Sequence, residues 1–454
     1  MHVLCRNAFY MIVQFSVANY TIFRDKVTLS LVASNYDKKT REIDNVILDE
    51  HFKLRLLRSA VLFGANASGK TKLFNALGFM KYFTLTSSKD GQKGEPINVV
   101  PFRLNVATEN KPSEFEILLL ENGSLYRYGF TVDSKRVYEE WLYVKRQRKE
   151  IEIFSRDENT ISIHDDYFAR GKKLWKEKMV RENALFLSTA AQFNEDLAIE
   201  LLNAFRNLKI ISGVHEEGFE GYTLSQLKDL SFRSQVLDFL HAADLDILDL
   251  ELQPIDQKRI EQLLPKELAP KFSKFLQENP NAPLLNDLLA FHKKFDAEGK
   301  PLEKLESFSF AADESAGTQQ FLALVGPIID VLTNGFTLCI DELDARLHPR
   351  LVIEIVALFN SKHRNPKNAQ LIFTSHYTQL LDADLLRRDQ VWLVEKNAHA
   401  EASLYSLAEF KGIRKNEAFE KNYLLGRYGA VPIIEYFNLK NIEDESEKSR
   451  EEER

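Results

Sequence analysis

Residues 64–71 read GANASGKT: Gly64, then Ala65-Asn66-Ala67-Ser68, then Gly69-Lys70-Thr71. A glycine loop with this spacing lets backbone N–H groups surround phosphate oxygens. Lys70 can reach β- and γ-phosphates, and the Thr71 hydroxyl can hold Mg²⁺. Gly64, Asn66, Ala67, Ser68, Gly69, Lys70 and Thr71 are therefore candidate nucleotide-binding residues. The chemistry requires a strand before the loop and a helix after it. SAVLF (59–63) is short and apolar, and KLFNALGFMKYF (72–83) carries apolar residues at helical spacing. The start of that helix would add its dipole field to the phosphate site.

A phosphate loop only binds; hydrolysis needs acids. FTLCIDE (336–342) is an apolar run ending in Asp341-Glu342. On a buried strand beside the phosphate-loop strand, Asp341 would hold Mg²⁺ and Glu342 would polarise the attacking water. DESAGTQQF (313–321) places Ser315 and Gly317 at a helix start. They read either as an anion-binding surface or as a simple N-cap serine.

The elements that must position these residues fall into three stretches. MIVQFSVANYTIFRDKVTLSLV (11–32) alternates like an edge or half-buried strand pair. EFEILLLE (114–121), SLYRYGFTVD (124–133), EEWLYVKRQ (139–147) and KEIEIFSRD (149–157) read as antiparallel hairpins, and ALFLSTAAQF (184–193) as a buried strand. IELLNAFRNL (199–208), SQVLDFLHAADLDIL (234–248) and APLLNDLLAFHKKF (282–295) read as helices. Helix 318–332, strand 336–342, helix 348–362 and strand 370–376 then return an α/β pattern. The phosphate-loop half and the acidic-strand half are expected to share one sheet. The expected organisation is 1–196 (N-terminal half of the ATPase domain), 197–304 (helical insertion), 305–440 (C-terminal half) and 441–454 (a charged, disordered tail). The fold is expected to start near Met11.

Among 454 residues, 44% are hydrophobic and 28% charged, ordinary for a globular protein. The net charge of −7 gives no overall drive toward nucleic acid or membrane. Only two cysteines occur, Cys5 and Cys339, which argues against a disulfide framework or zinc site and suits a reducing cytoplasm. No apolar run is long enough to span a bilayer.

The ordered motifs resemble ABC-type ATPases of the SMC/RecF kind. More narrowly, QFSVANYTIFRD (14–25), GANASGKT, PFRL (101–104), SAGTQQ, CIDELDARLHPRL (339–351), FTSHYTQLLD (373–382) and the segment 391–434 resemble the AAA/ABC-type ATP-binding proteins of phage defence. That family includes RloA-like and AbiL-like ATPases and the PARIS ATPase subunit. The resemblance implies an α/β, ABC-type P-loop ATPase head with an antiparallel β subdomain and a helical insertion. It also implies ATP and Mg²⁺ as cofactors. Ser315 and Gly317 would contact the γ-phosphate held by an opposite subunit. Leu343-Asp344 would be the D-loop, His376 the switch histidine, and Gln192 the Q-loop glutamine that touches Mg²⁺.

The implied function is an ATP-hydrolysing, homo-oligomeric, cytoplasmic switch that controls a partner effector, a TOPRIM-type nuclease in trans. The alternative is a DNA-binding SMC/RecF-like repair ATPase, with KRQRK (145–149) and RKNEAFEKNYLLGR (414–427) as candidate contacts. The acidic clusters DADLL (382–386), read as a helix start, and ADLDILDLE (243–251) read as structural, so no nuclease site is expected in this chain.

Overall fold

The computed structural model describes residues 10–35, 38–213, 219–254, 286–381, 384–412 and 417–432. The expectations for residues 1–9 and for the tail 441–454 lie outside these ranges.

Two sheets organise the molecule. The first is seven-stranded and antiparallel, in the order β10-β9-β8-β7-β6-β1-β2. Its strands are β1 (Tyr10–Ala18), β2 (Val27–Ser30), β6 (Ser113–Glu121), β7 (Ser124–Val132), β8 (Val137–Lys145), β9 (Glu150–Asp157) and β10 (Thr160–Ile163). The second is six-stranded, in the order β11-β15-β16-β5-β17-β18. It comprises β5 (Ser59–Phe63), β11 (Leu208–Ser212), β15 (Thr337–Asp341), β16 (Gln370–Thr374), β17 (Val391–Lys396) and β18 (Ala402–Ser406). All its pairings are parallel except β17–β18. The chain therefore has the expected α/β architecture with an antiparallel β subdomain, and its two halves share one sheet. Smaller sheets are formed by β3 (Val46–Asp49) with β4 (Leu54–Leu57), and by β12 (Asp249–Pro254), β13 (Asn286–Phe295) and β14 (Pro301–Ser309).

The helices are α1 (Glu42–Asn45), α2 (Lys70–Thr86), α3 (Ala169–Lys176), α4 (Phe186–Gln192), α5 (Asp196–Arg206), α6 (Phe219–Gln226) and α7 (Leu230–Ala242). Then follow α8 (Phe310–Asp313), α9 (Ala316–Asn334), α10 (Pro349–Asn360) and α11 (Phe419–Leu424).

The central strands are apolar throughout because both faces are covered. Ala60, Leu62, Cys339 and Ile372 face one core with Leu73, Leu77 and Met80 of α2, and with Phe115 and Phe130 of the larger sheet. Their neighbours Val61, Phe63, Leu338, Ile340, Leu371 and Phe373 face the other core, against Phe321 and Ile328 of α9 and Val356 of α10. The two-residue period of a strand thus sorts one short sequence between two cores.

Several expectations need correction. Residues 184–193 contain helix α4, not a strand. Its N-cap position is Leu185, which offers no capping oxygen. The cap comes instead from Glu140 on β8, whose carboxylate accepts the Phe186 and Leu187 N–H groups at 2.5 and 2.9 Å. Residues 286–295 form β13, hydrogen-bonded on both sides to β12 and β14. Tertiary pairing there overrides the helix preference of Leu and Ala. The stretch 197–304 is accordingly not helical throughout, and β11 within it joins the six-stranded sheet. In the DADLL cluster, residues 384–386 are irregular rather than a helix start; Asp382 and Ala383 lie outside the described residues. ADLDILDLE runs from the end of α7 into β12, with Asp249 paired to Arg233.

Candidate nucleotide site

The loop 64–69 joins the buried strand β5 to α2, as its sequence requires. Gly69 has φ +121°, and a Cβ there would lie 2.3 Å from Cδ1 of Ile22. A Cβ on Gly64 would meet the Val394 carbonyl oxygen at 2.4 Å. Both positions therefore exclude side chains and let the loop backbone pass close against Val394 and Ile22. Asn66, Ala67 and Thr71 are exposed, whereas Ser68 is buried and its hydroxyl has no hydrogen-bond partner. Such an orphan inside a phosphate-loop sequence fits an anion acceptor.

Lys70 is only 6% exposed. Its ammonium donates to the Gly64 and Ala65 carbonyls at 2.8 and 3.2 Å. Burial lowers its pKa, while the carboxylates of Asp341, Glu342 and Asp344 act to raise it. That influence places the acids of the second motif within electrostatic range of the loop lysine.

The strand order corrects one expectation. The acidic strand β15 is not the neighbour of β5: β16 lies between them. Its last residue, Thr374, supplies the link. The Thr374 hydroxyl donates to Asp341 Oδ1 at 2.7 Å and accepts the Glu342 N–H at 2.6 Å. Glu342 has φ +58°, a conformation costly for a non-glycine residue and typical of functional turns. Two residues on, the His376 N–H donates to Asp344 Oδ2 at 2.9 Å, and Asp344 Oδ1 is buried without a partner. The His376 side chain is exposed. The ends of β5, β16 and β15 thus gather Lys70, Thr71, Asp341, Glu342, Asp344 and His376 along one sheet edge. The Thr71 hydroxyl and the carboxylates of Asp341, Glu342 and Asp344 offer oxygen atoms suited to Mg²⁺ there.

Ser315 is the N-cap of α9: its hydroxyl accepts the Thr318 N–H at 3.1 Å. A Cβ on Gly317 would lie 2.9 Å from the Arg346 carbonyl oxygen, so the start of α9 packs against the segment that follows Asp344. Gln192 is not gathered in. It ends α4, which is tied by Ser188 to Ser88 at the far end of α2. Thr86, the last residue of that helix, is about 24 Å along it from Lys70, at 1.5 Å per residue.

Two contributors escaped the sequence reading. Thr374 sits opposite Asp341 because Ile340 pairs with Phe373 in the parallel register; a hydroxyl one step past the last pair was the available signal. Ile22, which closes over Gly69, carries no such signal. Among the basic segments, Arg146 stacks over Tyr167 and Lys145 lies over Phe52; residues 414–416 lie outside the described residues. No helix among the described residues is long and apolar enough to cross a membrane.

A family model described as "AAA domain, putative AbiEii toxin, Type IV TA system" matches residues 59–173 and 206–382. These stretches make up well over half of the chain. They contain the phosphate loop, Ser315, Asp341, Glu342, Asp344 and His376, whereas Gln192 falls in the gap between them. No curated protein matches. Among solved structures, the chain is similar to one titled "Crystal structure of the SmcHead bound to the C-winged helix domain of ScpA". The identity is 11%, the TM-score 0.42, and the coverage 87% of this chain and 97% of that one. A second is the SMC head domain from Thermotoga maritima, at 12% identity and TM-score 0.38, covering 87% of this chain and 98% of that one.

Proposed function

The chain belongs to the AAA-domain family that this model describes, and we propose that it is an ATP-hydrolysing, self-associating switch that controls a partner effector. The observation that carries this reading is the Thr374 hydroxyl, which binds the Asp341 carboxylate and the Glu342 backbone at once. A strand that only ran into an acidic turn would not need one carboxylate and the next residue's backbone fixed by the same hydroxyl.

Lys70 would exchange its carbonyl acceptors for phosphate oxygens. Thr71 and Asp341 would hold Mg²⁺, which neutralises phosphate charge when bound. Glu342 would take the proton of the attacking water, and His376 would contact the γ-phosphate from the same edge. By the motif resemblance, Ser315 and Gly317 at the start of α9 would contact the γ-phosphate held by a second copy of the chain. The family description names a putative toxin of a type IV toxin–antitoxin system, which supports an effector-linked output. The motif resemblance narrows that output to antiviral defence and a TOPRIM-type nuclease in trans.

A mixing experiment tests the composite site. Lys70→Ala and Ser315→Arg should each be inactive alone. A mixed dimer places both defects in one site and leaves the other intact, so random exchange should restore about a quarter of wild-type activity. Ser315→Arg also removes an N-cap worth about 1 kcal/mol, so its folding is checked by thermal denaturation. No recovery despite demonstrated subunit exchange would overturn the trans assignment. For the effector, ATP-locked Glu342→Gln should co-purify with the product of the adjacent open reading frame; absence of any complex in either nucleotide state would remove the nuclease from the proposal.

A further inference from the structure

A cavity of about 710 Å³ opens at the β9–α3 side of the larger sheet, apart from the phosphate loop. Its wall carries five cations, Lys93, Arg156, Lys176, Lys178 and Arg181, against two carboxylates, Glu158 and Glu182. The cavity is therefore positive within a chain that is negative overall. Trp175 supplies an aromatic wall.

The cations are not a loose surface run. Arg156 is 3% exposed, and its guanidinium lies 5.5 Å over the Trp175 ring. It donates to the Ala184 carbonyl at 2.9 Å and sits 3.8 Å from the buried Glu140 carboxylate. Arg181 donates to the Ser87 carbonyl at 3.0 Å and to the Gly91 carbonyl. These two arginines fix the frame, while Lys93, Lys176 and Lys178 are exposed with charges available to a ligand.

We propose that this cavity binds a phosphate ester that carries a planar base: a nucleotide, either free or as the end of a single strand. The lysines compensate the phosphate charge, and the indole offers a face or edge to a base. The volume lies in the range of small-molecule sites. Because Arg181 caps the carbonyl end of α2, the cavity and the phosphate loop sit at opposite ends of one helix.

Binding is tested on the full-length chain by tryptophan fluorescence, with AMP and 5′-phosphorylated dT5 as probes. Lys70→Ala serves as a parallel background in which the phosphate loop is disabled. Both backgrounds should give a saturable change, absent in Trp175→Phe. Lys176→Glu/Lys178→Glu should weaken binding by about tenfold or more, the scale of losing charged hydrogen bonds. Saturation by AMP assigns a free nucleotide, and saturation by dT5 alone assigns a strand end. No saturable change with either probe, or binding that the charge reversal leaves unaltered, overturns the proposal.

Discussion

Thr374 and Asp341, on adjacent parallel strands, are joined by a 2.7 Å hydrogen bond from hydroxyl to carboxylate. The same hydroxyl accepts the Glu342 N–H. One buried side chain thus sets the carboxylate proposed to hold metal and the backbone of the proposed base.

Thr374→Val keeps the β-branched shape and removes the oxygen. ATP affinity should stay within a few-fold, while turnover should fall by about 10- to 100-fold, since the base is no longer oriented. Stability should drop by about 1 kcal/mol, because the part-buried Glu342 N–H loses its acceptor. Steady-state kinetics with nucleotide titration separate the two effects. Unchanged turnover would reduce Thr374 to a strand-packing residue.

Glu342→Gln should keep ATP binding and slow hydrolysis by roughly 10²-fold or more. Gln retains the left-handed backbone at φ +58°, so thermal stability should barely move. Single-turnover hydrolysis checks this, and wild-type rates would mean that another group activates water.

Gly69→Ala should destabilise the fold and weaken ATP binding. Its Cβ would collide with Ile22 Cδ1 at 2.3 Å, and φ +121° is itself strained for alanine, at about 1–3 kcal/mol. Adding Ile22→Ala removes the collision but not the strain. Partial recovery of melting temperature and ATP affinity in the double variant is the expected result; full recovery would show that the backbone strain is negligible.

Glu121 gives a pH signature remote from catalysis. Burial, and next the Glu200 charge, raise its pKa to about 7, and its Oε2 atom has no partner. Its Oε1 accepts from Asn122 Nδ2 at 3.3 Å, and Tyr10 lies within its electrostatic range. A carboxyl with a raised folded pKa binds its proton more tightly in the native state. Its stabilising contribution is full below about pH 4.5 and is lost as pH rises through about 7. Glu121→Gln should flatten that part of the stability profile and add on the order of 3 kcal/mol above pH 7. Urea unfolding across pH 5–8 measures it, and parallel profiles for both proteins would refute the assignment.

What was legible in the sequence was what is local. GANASGKT carries its own strand and helix on either side, and CIDE ends its own strand, so Lys70 and Asp341 could be placed without knowing the topology. Three features depend on distant partners. The cap of α4 comes from Glu140, 46 residues upstream of Phe186. The pairing that makes β13 a strand comes from β12 and β14. The insertion of β16 between β5 and β15 is set by the order of the whole sheet. The order of motifs that points to Gln192 carries no information on the contact of its helix with Ser88, just past the end of α2.

The placement of β16 has a mechanical consequence. Its first residue, Gln370, bonds the Ile12 N–H and carbonyl of the seven-stranded sheet, the Leu57 carbonyl and the Thr337 hydroxyl. Its last residue, Thr374, holds the Asp341 carboxylate and the Glu342 N–H. Five residues therefore act as a stiff rod, bolted at one end to the β subdomain and at the other to the hydrolytic edge. Any sliding of one sheet over the other must either break the bolts at Gln370 or push the rod, and pushing it resets Asp341 and Glu342. A partner that gripped only the seven-stranded sheet would, in the proposed switch, reach the carboxylate proposed to hold metal without touching it.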